Sequence, residues 1–277
     1  MTMTRKIMYM LMLLFTLMSL AVGQVTISPT SLFLSSHRRF ETILIMNTSA
    51  VAQEVKLSWQ FGYPKASEAG DVSYIYGDTL KAAEYSVAEW IRSFPKNFIL
   101  EPGARQTVRV TVKPPHKLQD GTYWCRLKTT SSPVSPPVGS PQPGSISTNI
   151  SFQFNQITGV FYQTGDLNTG IQITGVRHSI NDQNLRVITD YKKSGNSPFL
   201  GSLRVKIFDA VGEIVKDEKV LVSIYFDGLR RLDLDISNLP MGSYEYEVSY
   251  SSGRVDILDS DIVSAPTVSL RDSFTKL

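Results

Sequence analysis

Two segments indicate the fold and the functional class of this chain: FILEPGARQTVRVTV (residues 98–112) and ISFQF (residues 150–154). The first contains a Glu-Pro-Gly turn followed by alternating valines, a pattern typical of a half-buried β-strand. The second places Ile150, Phe152 and Phe154 on one face of a strand, because side chains alternate between the two faces. Such a strand can offer its apolar face and its edge to another chain, which indicates a binding module and not an enzyme.

Short segments rich in β-branched and aromatic residues, each bounded by turn residues, recur along the chain after residue 24. They lie at 25–34, 40–46, 55–61, 107–112, 122–127, 146–162, 185–191, 202–208, 213–222, 229–236 and 244–250. This spacing predicts an all-β protein with two immunoglobulin-like antiparallel β-sandwich domains. We place them at residues 24–163 and 164–264, with 265–277 as a frayed tail. A helix is the alternative only at 79–90.

The segment TTSSPVSPPVGSPQPGSIS (residues 129–147) contains five prolines and no charged residue. A segment of this composition cannot pack into a core and is expected to be extended. Because a strand pattern resumes directly after it, we interpret it as a long loop within the first domain. An interdomain linker is the alternative interpretation.

The first 23 residues have the pattern of a secretory signal peptide. Arg5 and Lys6 precede an apolar run over residues 7–22, and small residues before and at Gly23 fit a cleavage site there. An uncleaved membrane anchor is the alternative, but the run is shorter than the roughly 20 residues that a span requires. We therefore expect a mature chain that is exported, periplasmic and without a membrane span.

Composition and charge argue against several functional classes. Hydrophobic residues make up 42% of the chain and charged residues 19%, as in an ordinary folded protein. Loss of Arg5 and Lys6 lowers the formal net charge from +3 to +1, which gives no electrostatic reason to expect a nucleic-acid partner. The single cysteine, Cys125, lies in an apolar strand pattern and is expected to be a small buried hydrophobe rather than a reactive thiol.

No catalytic or metal-binding pattern is found. The three histidines, His37, His116 and His178, are far apart in sequence and none has a partner at metal-ligand spacing. The chain has neither a Gly-x-Ser-x-Gly elbow nor a glycine-rich phosphate loop. The sequence therefore predicts no enzyme activity, no metal and no cofactor.

Several segments, in order, resemble the PapD-like periplasmic pilus chaperones. They are SFP (93–95), FILEPGARQTVRV (98–110), DGTYWCRL (120–127) and ISFQF (150–154) with VFY (160–162). The resemblance covers residues 25–162 well and the second domain only in outline. It implies two immunoglobulin-like domains that hold an incomplete pilus or fimbrial subunit during assembly, with that subunit and an outer-membrane usher as partners.

By this resemblance, Ile150, Phe152 and Phe154 fill the open groove of the subunit while the strand around 146–158 extends its sheet. The alternative is that these three side chains face the chain's own core, because any half-buried strand alternates. A different functional class also stays open, in which the chain is a structural or adhesive immunoglobulin-like envelope protein without chaperone activity.

The family also holds the terminal carboxylate of its subunit with two basic residues. The matching positions here are Ser31 and Gly159, and neither can form a charge-assisted hydrogen bond with its side chain. We expect Arg38 and Arg39 to substitute, with Arg109 as a further candidate. The predicted partner-binding residues are thus Ile150, Phe152, Phe154, Arg38 and Arg39.

Overall fold

The computed structural model describes residues 25–134, 152–181 and 183–276. The predicted signal peptide, most of the predicted proline-rich loop and Ile150 lie outside these residues. In the described ranges, no helix combines the length and the apolar character needed to cross a bilayer.

The first domain is built from eleven strands and one short helix. Its strands are Val25–Ser28 (β1), Ser31–Ser35 (β2), Phe40–Asn47 (β3), Gln53–Gln60 (β4), Gly62–Ala66 (β5), Val72–Tyr76 (β6), Ile91–Phe94 (β7), Asn97–Leu100 (β8), Arg105–Val112 (β9), Gly121–Pro133 (β10) and Phe154–Thr164 (β11), and its helix is Thr79–Tyr85 (α1). One sheet has the order β1-β3-β9-β7 and the other β2-β11-β10-β4-β8. This is the immunoglobulin arrangement of two facing sheets.

The core between these sheets comes from the alternation that the sequence shows. Ile43 and Ile45 on β3 lie beside Val108 and Val110 on β9, the neighbouring strand of the same sheet, and all four are fully buried in this core. The Glu-Pro-Gly turn lies between β8 and β9, as predicted, and Gly103 adopts a positive φ of 73° there. Only glycine takes that conformation without steric cost, which explains its place in the turn.

The first predicted strand, 25–34, is divided in two at Pro29. Residues Val25–Ser28 pair antiparallel with β3, whereas Ser31–Ser35 cross to the other sheet and pair parallel with β11. Proline has no N–H to donate to a sheet ladder, so the ladder is interrupted at this point. As a result, the edge of β11 is covered by β2 only from Gly159 to Gln163.

An insertion between β4 and β7 carries the hairpin β5–β6 and helix α1. Asp78 caps the helix, since its Oδ1 accepts a hydrogen bond from the backbone N–H of Lys81 at 3.0 Å. The helical alternative for 79–90 is therefore correct for its first half. The insertion lies at the junction with the second domain, where Tyr63 and Tyr85 contact Phe226.

The second domain is an antiparallel sandwich of seven strands. They are Gly170–Asn181 (β12), Asn184–Ser194 (β13), Phe199–Phe208 (β14), Ile214–Ile224 (β15), Gly228–Asp235 (β16), Gly242–Ser252 (β17) and Val268–Lys276 (β18). The sheets have the orders β12-β13-β16 and β15-β14-β17-β18. Tyr246, Tyr250 and Phe199 are among its fully buried side chains. Two antiparallel β-sandwich domains, the predicted fold class, are confirmed.

Two predicted boundaries are wrong. The predicted frayed tail at 265–277 instead contains strand β18, which pairs with β17 over its whole length and buries Phe274 in the second core. This edge strand buries only that one side chain, so its sequence shows little apolar alternation. The predicted loop at 129–147 also begins too early, since residues 129–133 continue β10. All five pair with β4, and residues 129–131 pair with β11 as well.

Candidate functional site in the interdomain cleft

The two domains meet around a cluster of aromatic rings centred on Trp124 of β10. The ring centroid of Trp124 lies 4.8 Å from Tyr85 of the insertion, 5.6 Å from Phe61 and 4.7 Å from Tyr225. Tyr225 and Phe226 belong to the loop between β15 and β16 of the second domain. The rings thus join the first domain, its insertion and the second domain in one apolar contact.

Strand β10 is buried on both faces. Cys125 and Leu127 point into the core of the first domain, whereas Trp124 and Arg126 point toward the domain junction. The burial of Cys125 in the core agrees with its prediction as a small hydrophobe.

The Cys125 thiol is expected to be unreactive in the folded protein. It is fully buried, and this burial raises its pKa far above the usual value, although the neighbouring Arg126 charge lowers it slightly. Because the thiolate is the reactive form, iodoacetamide should not label the native chain at neutral pH. Stoichiometric labelling is expected in concentrated guanidinium chloride, and mass spectrometry distinguishes the two results. Rapid native labelling would show that Cys125 is accessible.

Arg126 brings a cation into the junction. It is only 5% exposed; its Nε donates a hydrogen bond to the carbonyl of Gly62 at 3.1 Å and its Nη2 to the hydroxyl of Tyr225 at 2.7 Å. Its guanidinium also lies 5.3 Å from the ring centroid of Tyr74. Burial lowers the pKa of Arg126, but electrostatic interactions with Tyr225 and Tyr74 outweigh this and raise it above its usual value, so the group stays charged.

The two positions where the family resemblance places basic residues lie directly beside Arg126. Gly159 pairs with Ser31 on one side and with Arg126 on the other. A Cβ atom at Gly159 would lie 3.1 Å from Nη1 of Arg126, so the missing side chain leaves room for the guanidinium. Among the described residues, Nη1 makes no hydrogen bond. One arginine thus supplies a positive charge where the sequence suggested that none was present.

A cavity of about 250 Å³ opens at this point between the domains. Ser31, Tyr74, Arg126, Gly159 and Arg254 are among the residues that line it. Arg254 of the second domain is already paired, because its Nη2 lies 2.6 Å from Oδ2 of Asp256 and its Nη1 donates to Oγ of Ser223 at 2.6 Å. A planar guanidinium with free N–H groups in a partly desolvated cavity is suited to bind a carboxylate.

The basic residues expected to replace the family's anchors lie elsewhere. Arg38 forms ion pairs with Asp261 at 2.5 Å and with Glu41 at 3.2 Å, so it links the first domain to the second. Arg39 is exposed, and its Nε donates to the carbonyl of Ser36 at 3.3 Å. Arg109 lies on β9, with its guanidinium 4.2 Å from the ring centroid of Phe40. None of the three lines the cavity at Arg126, although Arg38 lines a neighbouring cavity together with Ser31.

Phe152 and Phe154 are exposed, by 63% and 44%, so they do not lie in the chain's own core. Phe154 begins β11, which pairs with β10 on one side. On the other side, the described residues include no strand that pairs with residues 154–158, because β2 begins its pairing only at Gly159. The exposed phenylalanines therefore lie next to an open strand edge that leads into the Arg126 cavity.

Sequence reasoning missed Arg126 as a candidate binding residue. The signal was present in YWCRLK (residues 123–128), where a lone arginine interrupts an apolar strand. A charged residue in such a strand must be paired or must line a cavity, because burial of an isolated charge is costly.

No group of three or more potential metal ligands occurs among the described residues.

No family model and no curated protein sequence matches this chain. Among solved structures, it is similar to the YadV chaperone, with 13% identity and a TM-score of 0.46 over 90% of this chain and 100% of that one. It is also similar to a chain of the CsuC-CsuE complex of a chaperone and a tip adhesion subunit from Acinetobacter baumannii, with 12% identity and a TM-score of 0.44 over 89% and 98%. It is also similar to a chain of the Salmonella enterica complex of the SafA pilin with the SafB chaperone. The identity is 12% and the TM-score 0.40, over 91% of this chain and 98% of that one.

Proposed function

We propose that this chain is a periplasmic chaperone of the PapD-like type, which binds an incomplete pilus or fimbrial subunit by donating strand β11. The observation that carries this proposal is the open edge of β11 at residues 154–158 beside exposed phenylalanines. An incomplete sandwich lacks one strand, so an extended strand with a free edge and apolar side chains is complementary to it.

The apolar side chains alone do not account for stable binding. Burial of Phe152 and Phe154 contributes about 1.5–3 kcal/mol each. Association costs at least about 4 kcal/mol in lost translational and rotational freedom. The main-chain hydrogen bonds of an added strand must therefore contribute as well. Ile150, which lies two positions before Phe152, is proposed as a third groove-filling residue.

The proposed role of Arg126 is to bind the terminal carboxylate of the subunit. Its Nη1 is unbonded among the described residues and lies beside Ser31 and Gly159, at the inner end of the open edge of β11. A subunit strand that pairs with β11 and ends at this cavity would bring its carboxylate to the guanidinium. Arg38 and Arg39 are not needed for this role and remain candidates only for contacts outside the cavity.

The test of this function is capture of a client in the native envelope. The full chain, with an affinity tag after Leu277, is purified from that envelope and the bound proteins are identified. A small β-rich subunit that co-purifies in equal amount supports the proposal, and an outer-membrane usher is a further expected partner. Display of the chain on the outer surface with no bound subunit would instead support a structural or adhesive role.

Replacement of Arg126 by methionine is expected to weaken client binding about 10- to 100-fold. A hydrogen bond to a charged group contributes about 1.5–3 kcal/mol, and each 1.4 kcal/mol is a factor of about ten. The measurement is the dissociation constant of the purified chain for the captured subunit. The matched control is Arg254→Met, which removes a cation of the same cavity that is already paired with Asp256. Equal weakening by both variants would contradict a specific role for Arg126.

A further inference from the structure

A second groove lies between hairpin β5–β6 of the first domain and edge strand β15 of the second. Its volume is about 450 Å³. Apolar side chains form much of its wall, and Val72, Tyr74 and Leu221 are each exposed by 43–51%. The groove shares Tyr74, Ser223 and Arg254 with the Arg126 cavity and therefore adjoins it.

The charged side chains that line this groove are all arginines: Arg230, Arg231 and Arg254. Two of them are paired within the chain. Arg231 contacts Asp71 at 2.8 Å and Asp233 at 3.1 Å, and Arg254 contacts Asp256. Arg230 differs, because no carboxylate of the described residues lies within ion-pair distance of it.

Arg230 is 93% buried, and its hydrogen-bonding capacity is almost unused. Its Nε and Nη1 have no hydrogen-bond partner among the described residues, and Nη2 has only the carbonyl of Ser223 at 3.5 Å. On β16 it occupies the same face as Leu232 and Leu234, which are core residues. A buried guanidinium without an anion is unfavourable, so an external anion would stabilise it.

We propose that this groove binds an acidic side chain flanked by apolar ones, from a client segment other than the one paired with β11. The carboxylate would bind the Arg230 guanidinium, and the apolar neighbours would contact Val72, Tyr74 and Leu221. This inference rests on the proposed chaperone function for the source of the segment. One unpaired guanidinium between apolar walls matches a single carboxylate on an apolar peptide, in both charge and polarity.

The test uses two short peptides and the full purified chain. The probes are N-acetyl-Leu-Glu-Leu-amide and N-acetyl-Leu-Gln-Leu-amide, whose blocked ends keep a terminal carboxylate from reaching Arg126. In NMR titrations, the Glu peptide is expected to shift the amide signals of Tyr74 and of Val220 to Ser223. The Gln peptide should bind about tenfold more weakly, because it cannot form the charge-assisted hydrogen bond.

The variant Arg230→Met should lose the preference for the Glu peptide and unfold at a temperature no lower than that of the wild type, since it removes an unpaired charge. The matched control is Arg271→Met on β18, at the opposite edge of the sheet that contains β15, and this variant should keep the preference. Equal affinity of the wild type for both peptides would overturn the proposal without need of any variant. If the wild type prefers the Glu peptide but captures no client, the chaperone function is rejected. The proposal that the groove binds a carboxylate between apolar groups then still stands.

Discussion

Replacement of Phe152 and Phe154 together by serine is expected to weaken binding of the captured subunit by at least about 100-fold. Both rings are exposed in the free chain, so their burial in a complex contributes to affinity and their removal costs about 3–6 kcal/mol. At about 1.4 kcal/mol per factor of ten, this is more than two orders of magnitude. The dissociation constants of the wild-type and double-variant chains for the purified subunit measure the effect.

The same exposure means that the double variant should fold normally, because neither side chain contributes to a core. Its thermal unfolding midpoint is therefore expected to equal that of the wild type. The matched control is Phe94→Ser, which removes an 81% exposed phenylalanine from β7 on the other sheet and should leave subunit binding unchanged. Full affinity in the double variant would rule out groove filling by these residues.

Replacement of Trp124 by alanine is expected to destabilise the protein by about 3–5 kcal/mol, the usual loss for a buried tryptophan. The side chain is 2% exposed, and it contacts rings of the first domain, the insertion and the second domain. The cavity left behind would thus weaken both the first domain and its contact with the second. Chemical denaturation followed by tyrosine and tryptophan fluorescence and by circular dichroism measures the loss.

The matched control for this position is Trp124→Phe, which keeps an aromatic ring in the cluster. The indole Nε1 of Trp124 is buried without a hydrogen-bond partner among the described residues, so its removal deprives the protein of no hydrogen bond there. The phenylalanine variant should lose much less stability than the alanine variant. An alanine variant that unfolds at the same denaturant concentration as the wild type would show that the ring cluster does not hold the domains together.

The strand predicted at 146–162 begins at Phe154 among the described residues, so Phe152 precedes it. Local sequence pattern did predict the all-β class and the Glu-Pro-Gly turn before β9. These features depend on alternation and turn chemistry, which act between residues close in sequence. The boundaries of β18 and of β10 were wrong for the same reason. The edge strand β18 buries only Phe274. Residues 129–131 of β10 are polar, yet they pair with the strands on both sides of β10.

The sequence by itself determined the all-β class, most of the longer strands and the alternation of their buried side chains, but it did not predict β5, β6, β7 or β18. The tertiary structure alone decided that Ser31 and Gly159 lie side by side. It also decided that Arg126 lines a cavity with both of them, whereas Arg38 lines a neighbouring cavity that contains Ser31 but not Gly159. The same holds for Arg230 in the second groove. The physical reason is that each of these sites joins residues distant in sequence, and their contacts form only when the sheets pair and the two domains pack together.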